Sequence, residues 1–399
     1  MTARMDFDVV IVGGGMVGAL LAALLATQPE TEALTIALLE PNPARRLLNE
    51  PIDLRVSALS RAAEALLRQI GAWPQIEARG ACAYERMMVW DAASPANGAD
   101  TLLFDAAEVG EPNLGTIAEN LSIAAAALDR AQQAGVKVYT SALQGLLLSP
   151  DAADVTIDGR VLKARLVVAA DGADSPTRRF AGLSESMVDY PQHAVIAHLV
   201  PERPHEQVAR QRFLATGPLA LLPLADGRVS LVWSTTPDEA TALLHCDEAT
   251  FSARVTQASD SVLGQLTLSS PRAAWPLRRF NASRYQATRV ALVGDAAHLV
   301  HPLAGQGVNQ GFLDARRLAA EIGHAVQAKE DIGDARCLGR YARARGAENA
   351  LMGAALDGLY RLFTAPATWI GSARRKALGV VQRLAPVKHV LIKRALGLS

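Results

Sequence analysis

The chain has 399 residues, half of them apolar, and its 40 Lys or Arg are balanced by 40 Asp or Glu. That length supports two joined domains with a sizeable core, and zero formal charge gives no global pull toward nucleic acid. Cys82, Cys246 and Cys337 lie far apart, which indicates neither a disulfide framework nor a metal site and fits a reducing cytoplasm.

Residues 9–12 form a short β-branched run, followed at once by Gly13-Gly14-Gly15-Met16-Val17-Gly18. A helix carrying Leu20, Leu21, Leu24 and Leu25 comes next, then an apolar run at 34–39 that ends in Glu40. This is the order of a dinucleotide-binding unit. Gly13, Gly15 and Gly18 admit a pyrophosphate at a helix amino terminus, and Glu40 accepts from a ribose hydroxyl pair. The uncharged run 9–26 has the length of a leader or a span. Its middle is three glycines, Asp6 and Asp8 precede it, and no stop-transfer signal follows, which argues against both. No second G-x-G-x-x-G unit, internal repeat or low-complexity tract is present.

Residues 53–60, Asp-Leu-Arg-Val-Ser-Ala-Leu-Ser, precede a helix with Ala62, Leu66, Leu67 and Ile70 on its apolar side. From 73 to about 112 the pattern loosens into short strands at 87–90 and 101–104, an excursion into a substrate-facing sheet. The chain returns at 114–120 and enters a helix through Ile123, Leu128 and Ala131. Glu119 and Asn120 open that helix, where capping or solvation alone explains them. A strand is expected at 136–139, a hairpin at 145–157, and a buried strand at 166–170 running into Asp171-Gly172-Ala173-Asp174-Ser175. Strand-like runs at 194–200, 219–224 and 229–234, with a helix near 248–266, predict an antiparallel sheet. Tyr190, His193, His198 and Trp233 read there as packing or sheet-face residues, because no partner base or metal companion can be fixed.

Residues 290–293 are a continuous apolar run ended by Gly294-Asp295, which leaves one carboxylate at a strand's carboxyl end to accept from a sugar-like hydroxyl chain. Beyond Pro302, the loop Gly305-Gln306-Gly307 permits close backbone approach. Val308, Phe312, Ala315, Leu318, Ala319 and Ile322 then recur at helical spacing, so a helix amino terminus suited to an anion falls just after the loop. Further helices are expected at 341–363 and 370–396. From residue 358 onward there are eight Lys or Arg and no acid. Such a terminus suits an anionic membrane surface or a partner, or a helix packed on the body with solvated charges. Arg374, Arg375, Lys376, Arg383 and Lys388 interrupt its apolar runs, which argues against a span.

Gly-Asp-Ala-Ala-His at 294–298 and His-Pro-Leu-Ala-Gly-Gln-Gly-Val-Asn at 301–309 resemble the ribityl-binding motif of the FAD-dependent aromatic hydroxylases, the family that includes para-hydroxybenzoate hydroxylase. Ala-Asp-Gly-Ala-Asp-Ser-Pro-Thr-Arg at 170–178 is similar to that family's second motif, and Arg-Val-Ser-Ala-Leu at 55–59 resembles its ubiquinone-biosynthesis branch. Asp189-Tyr190, His193-Ala194-Val195, Pro204-His205, Val208-Ala209-Arg210-Gln211 and Phe213 look most like the 2-polyprenylphenol hydroxylases. These motifs span nearly the whole chain.

The resemblance implies an α/β and α+β architecture. A discontinuous Rossmann-type FAD-binding domain (1–72, 113–180, 277–345) interleaves with an antiparallel-sheet substrate domain (73–112, 181–276), followed by a C-terminal helical region (346–399). It implies a monooxygenase that hydroxylates a prenylated phenol with O2 in ubiquinone biosynthesis, through a C4a-hydroperoxyflavin. FAD would be held by Gly13, Gly15, Gly18, Glu40, Arg55, Asn120, Asp171, Gly172 and Asp295, with Gln306, Gly307, Val308 and Asn309 along the flavin. Pro302 and Gly305 would line the flavin edge, with no acid-base residue identified, since the cofactor carries the difficult step. Electrons would come from NAD(P)H or a small redox protein. A quinone-biosynthesis complex and peripheral contact with the inner membrane face are further implied possibilities. Two other readings remain, an FAD-dependent reductase of a prenyl lipid and a flavin-binding scaffold. A halogenase is disfavoured because none of the five tryptophans forms a Trp-x-Trp pair.

Overall fold

The computed structural model describes residues 4–45, 50–299 and 306–364, together with Lys388, His389, Ile392, Leu396 and Gly397. The chain opens with β1 (Phe7–Val12), α1 (Met16–Thr27) and β2 (Ile36–Leu39), then β3 (Val56–Leu59), α2 (Arg61–Gln69), α3 (Trp73–Ala78) and β4 (Cys82–Tyr84). Next come β5 (Arg86–Asp91), β6 (Leu102–Asp105), β7 (Gly115–Glu119), α4 (Asn120–Gln133) and β8 (Lys137–Tyr139). The middle holds β9 (Gly145–Leu148), β10 (Ala153–Ile157), β11 (Arg160–Ala169), α5 (Pro176–Phe180), β12 (Glu185–Pro201), β13 (Val208–Leu214), β14 (Gly217–Pro223) and β15 (Val229–Thr235). It closes with α6 (Pro237–His245), α7 (Glu248–Ala258), β16 (Leu266–Leu268), β17 (Ala273–Ala282), β18 (Gln286–Ala287), β19 (Val290–Leu292), β20 (His298–Leu299), α8 (Gln306–Gln327) and α9 (Ala335–Thr364).

Among the described residues these strands form three sheets. The first runs β18-β19-β11-β1-β2-β8, with β19, β11, β1, β2 and β8 mutually parallel and the β9–β10 hairpin extending β11. Its central strands carry continuous buried apolar runs at 9–12, 36–39, 166–169 and 290–292, as strands covered on both faces do. Helix α1 is buried from Gly18 through Leu25, so it needs cover on every side. The sheet supplies one side; α4 and α8 pack on the others. Each fully buried leucine there contributes roughly 1.5–3 kcal/mol.

The second sheet runs β20-β17-β12-β15-β14-β13-β5-β6, with β16 on β12. Val195, Ala197 and Leu199 of β12 and Leu231 and Trp233 of β15 face α6 through Ala240 and Leu243 and α7 through Phe251 and Val255. Strand alternation turns Ala194, Ile196 and His198 to the opposite face. On that face Leu222, at the end of β14, and the adjoining Leu224 meet Ile117, Val56 and Ala58 of the third sheet, β3-β7-β4.

Several expectations need correction. The second sheet is not wholly antiparallel, because β5 and β13 pair in parallel. The boundary expected at 276/277 falls inside β17, and the one at 345/346 falls inside α9. Residues 113–119 enter the small third sheet through β7. The helix expected to reach 266 ends at Ala258, since Asp260 and Ser261 take positive φ of 63° and 49°, which a helix cannot continue.

Candidate active site

The carboxyl ends of β2, β1, β11 and β19 lie along one edge of the first sheet. Gly13 has φ +102°, and a Cβ there would overlap the Ala170 carbonyl just beyond β11, so only glycine lets turn and strand approach. A Cβ on Gly18 would overlap the Gly13 carbonyl oxygen. Gly15 differs. It precedes α1 without a side-chain cap and has nothing within 4 Å of a Cβ position. The first-turn N–H groups of α1 are therefore available to an anion beside an open space. Glu40 accepts hydrogen bonds from the N–H of Gly14 at 2.7 Å and of Asn42 at 2.9 Å, so the expected ribose acceptor adjoins the glycine turn.

Asp171 accepts from Thr177 N–H at 2.9 Å, from its hydroxyl at 2.7 Å and from Ser175 Oγ, building the turn that opens α5. Gly172 takes φ +83° with open space at its Cβ position. Arg178, given no role from sequence, is 1% exposed. It donates to Ala173 O at 2.6 Å and Ala296 O at 2.8 Å, pairs with Glu185, and lies 4.8 Å from the Phe280 ring centroid. It joins the 171–175 loop to the Gly294–Ala296 turn.

Asp295 is accessible to solvent, yet burial in the surrounding protein mass raises its carboxyl pKa. His298 and Arg55 pull it back down, and the Asp314 charge adds to the rise. The carboxylate therefore meets solvent on one side while protein crowds it on the others. Arg55 is exposed, with its guanidinium 5.9 Å from the Trp275 ring centroid. Its N–H donates to Asp53 Oδ1 at 2.9 Å and its carbonyl accepts from Asn120 N–H at 3.0 Å. Asn120 Oδ1 accepts from Ser57 Oγ at 2.6 Å, and Glu119 Oε1 from Asp53 N–H at 2.6 Å. Asn120, expected along the cofactor, thus directs its side-chain oxygen and its N–H to the Arg55 strand.

Pro302 and Gly305 lie outside the described residues. Helix α8 begins at Gln306, where the sequence places a helix amino terminus, and Gly307 and Val308 follow in its first turn. Asn309 is buried; its Oδ1 accepts from Ser60 N–H at 2.9 Å and its Nδ2 donates to Ala58 O at 2.9 Å, which pins α8 to β3 and to the start of α2. Behind the Gly294-Asp295 turn lies an ionic cluster that the sequence reading missed: Asp314, His298, Arg345 and Asn349. Its one sequence signal is an aspartate beside Phe312, Ala315 and Leu318, a charge among the apolar positions of a helix.

The open space at Gly15, the uncapped amino terminus of α1 and the carboxylates after β2 and β19 are of the kind FAD requires, and Gly13, Gly15, Gly18, Glu40 and Asp295 would be the residues to hold it. Fold and sequence together define an FAD-binding monooxygenase. The FAD binding domain family matches residues 6–350. The 3-demethoxyubiquinol 3-hydroxylase of Escherichia coli is 34% identical over 98% of this chain and 98% of its own. Ubiquinone hydroxylase UbiL of Rhodospirillum rubrum is 33% identical over 98% of this chain and 89% of its own. The crystal structure of p-nitrophenol 4-monooxygenase PnpA from Pseudomonas putida superposes with a TM-score of 0.78 at 18% identity, covering 98% of each chain. The chain belongs to the family of FAD-dependent ubiquinone-biosynthesis hydroxylases.

Proposed function

We propose that this protein inserts one oxygen atom from O2 into the ring of a prenylated phenol on the route to ubiquinone. The observation that carries the reading is an exposed aromatic side chain beside Arg55. Tyr190, Ala194, Val232 and Leu277 form a buried apolar cluster on the second sheet, and Trp275, paired with Ala194, remains 43% exposed beside Arg55. An aromatic side chain next to a residue read as approaching the cofactor suits a lipophilic ring. Bound FAD supplies the two-electron activation of O2 that no side chain here provides. The chain's own residues orient the ring, hold the cofactor and exclude water. One oxygen enters the phenol, and the other leaves as water with two protons and two electrons from NAD(P)H or a small redox protein.

A lipophilic substrate also favours work at the inner membrane face, within a quinone-biosynthesis complex. No helix among the described residues is long and apolar enough to cross a membrane, so such contact is peripheral in this reading. Of two relatives at similar identity, 33% and 34%, one is named only a ubiquinone hydroxylase and the other a 3-demethoxyubiquinol 3-hydroxylase, which leaves the ring carbon to experiment.

The test is mass spectrometry of lipid extracts from cells lacking the protein and any redundant hydroxylase. Loss of ubiquinone with build-up of a prenylated intermediate short of one ring oxygen is expected, and the missing oxygen identifies the ring position. An unchanged quinone profile overturns the reading. An intermediate altered only in its prenyl chain points to a reductase instead.

A further inference from the structure

Asp314 sits on α8 one turn beyond Gly311, behind the Gly294-Asp295 turn. It is fully buried. Its Oδ2 accepts from Gly294 N–H at 3.0 Å and lies 2.6 Å from His298 Nε2; its Oδ1 accepts from Arg345 Nε at 2.7 Å and Asn349 Nδ2 at 3.1 Å. Arg345 is held in turn by Gln310 Oε1 at 3.0 Å and Asn349 Oδ1 at 2.8 Å. One carboxylate therefore gathers donors from the turn after β19, from β20 and from α9. Gly311 adds a backbone seat: a Cβ there would lie 3.2 Å from Gly294 Cα and 2.6 Å from Val17 Cγ2.

Burial works to raise the Asp314 pKa, yet His298 and Arg345 outweigh it and leave the group below its ordinary value, as an anion. Buried ion clusters of this kind are rarely a gain in stability over apolar residues of the same volume, so their use lies in the geometry they fix. What this cluster fixes is the turn that carries Asp295.

We propose that Asp314 is a positioning residue for the flavin: through Gly294 N–H it sets the Asp295 carboxylate where it meets the cofactor's hydroxyl chain, with Arg345 and His298 holding Asp314 in place. The inference rests on the reading of Asp295 as that acceptor.

The test is a double-mutant cycle of Asp295→Ala and Asp314→Asn. FAD affinity of each apoprotein is read by flavin fluorescence, the setting of the bound ring by visible circular dichroism, and stability by thermal unfolding. Each single variant is expected to weaken FAD binding roughly tenfold, the scale of one lost charge-assisted hydrogen bond. The double variant should bind no more weakly than Asp295→Ala alone, because Asp314 acts through Asp295. The flavin dichroism of Asp314→Asn should also change. Losses that multiply, or wild-type affinity in Asp314→Asn, overturn the proposal. Wild-type affinity in Asp295→Ala overturns the reading beneath it, a failure visible in that single variant. If Asp314→Asn does not fold, Asp314→Leu with Arg345→Leu removes both buried charges together. Recovered folding with FAD binding still weakened supports the proposal, and recovery of both overturns it.

Discussion

Replacing Gly15 by Ala and Gly18 by Ala gives different expectations for the apoprotein. At Gly15 an added methyl meets nothing within 4 Å; a poorer cap costs about 0.5–1 kcal/mol, and a stiffer unfolded chain returns about as much. Its unfolding temperature should hold while FAD affinity falls, because the methyl occupies the space beside the α1 amino terminus. At Gly18 the helix-propensity gain of about 1 kcal/mol is outweighed by overlap with the Gly13 carbonyl, so thermal unfolding should show a net loss of roughly 1–2 kcal/mol. Asp295 gives a pH-dependent contrast. Its folded pKa is raised by desolvation, so ionising it costs stability once pH exceeds the ordinary carboxyl value of 3.8, and the cost is complete above the folded pKa. Asp295→Asn should therefore melt higher than wild type at pH 7, match it in acid below that ordinary value, and bind FAD more weakly. The glycines were legible in the sequence because their demand is local. The Asp314 cluster was not, because its members stand on a turn, a two-residue strand and two helices, and an aspartate within a helix reads first as a solvated charge.

Among the elements, short apolar runs were read well: β1, β2, β5, β6, β8, β14, β15 and β19 each match an expected strand within one or two residues at most ends. β3, β4, β7, β16, β18 and β20 were not read as strands, and the longest strands missed were β13 and β17. Arg210, Gln211 and Arg212 interrupt the first and Pro276, Arg278 and Arg279 the second, so neither shows the alternation that marks a half-buried strand. Their polar groups are accommodated by tertiary contacts, as when Arg210 donates to His205 O at 2.8 Å and Val208 O at 2.9 Å. Asn309 shows how a motif residue can serve an element junction. Both ends of its amide bind the backbone near β3 and α2, so Asn309→Ala should cost about 2 kcal/mol in urea unfolding of the apoprotein. A side chain that served the cofactor alone would leave that transition unchanged.

For the molecule as a whole, the described part of the C-terminus follows the packed alternative. Lys388 pairs with Glu108 at 2.6 Å, and Ile392 and Leu396 are buried against Ala106 and Leu114. A chain ending at residue 387 should lose about 3 kcal/mol or more and bind a hydrophobic dye at the uncovered patch, as dye fluorescence and urea unfolding would show. The interleaving of the sheets reaches further still, into synthesis. Arg86 of β5 pairs with Val208 of β13, so the β5–β6 hairpin leaves the ribosome well before the strand that completes its sheet. Pairings so distant in sequence are slow to form, and an unpaired edge is exposed to aggregation meanwhile. Stalled chains ending before residue 205 should be cut by protease within 86–105, and chains reaching beyond 235 should resist. The newborn enzyme depends on whatever shields that edge until its second half arrives.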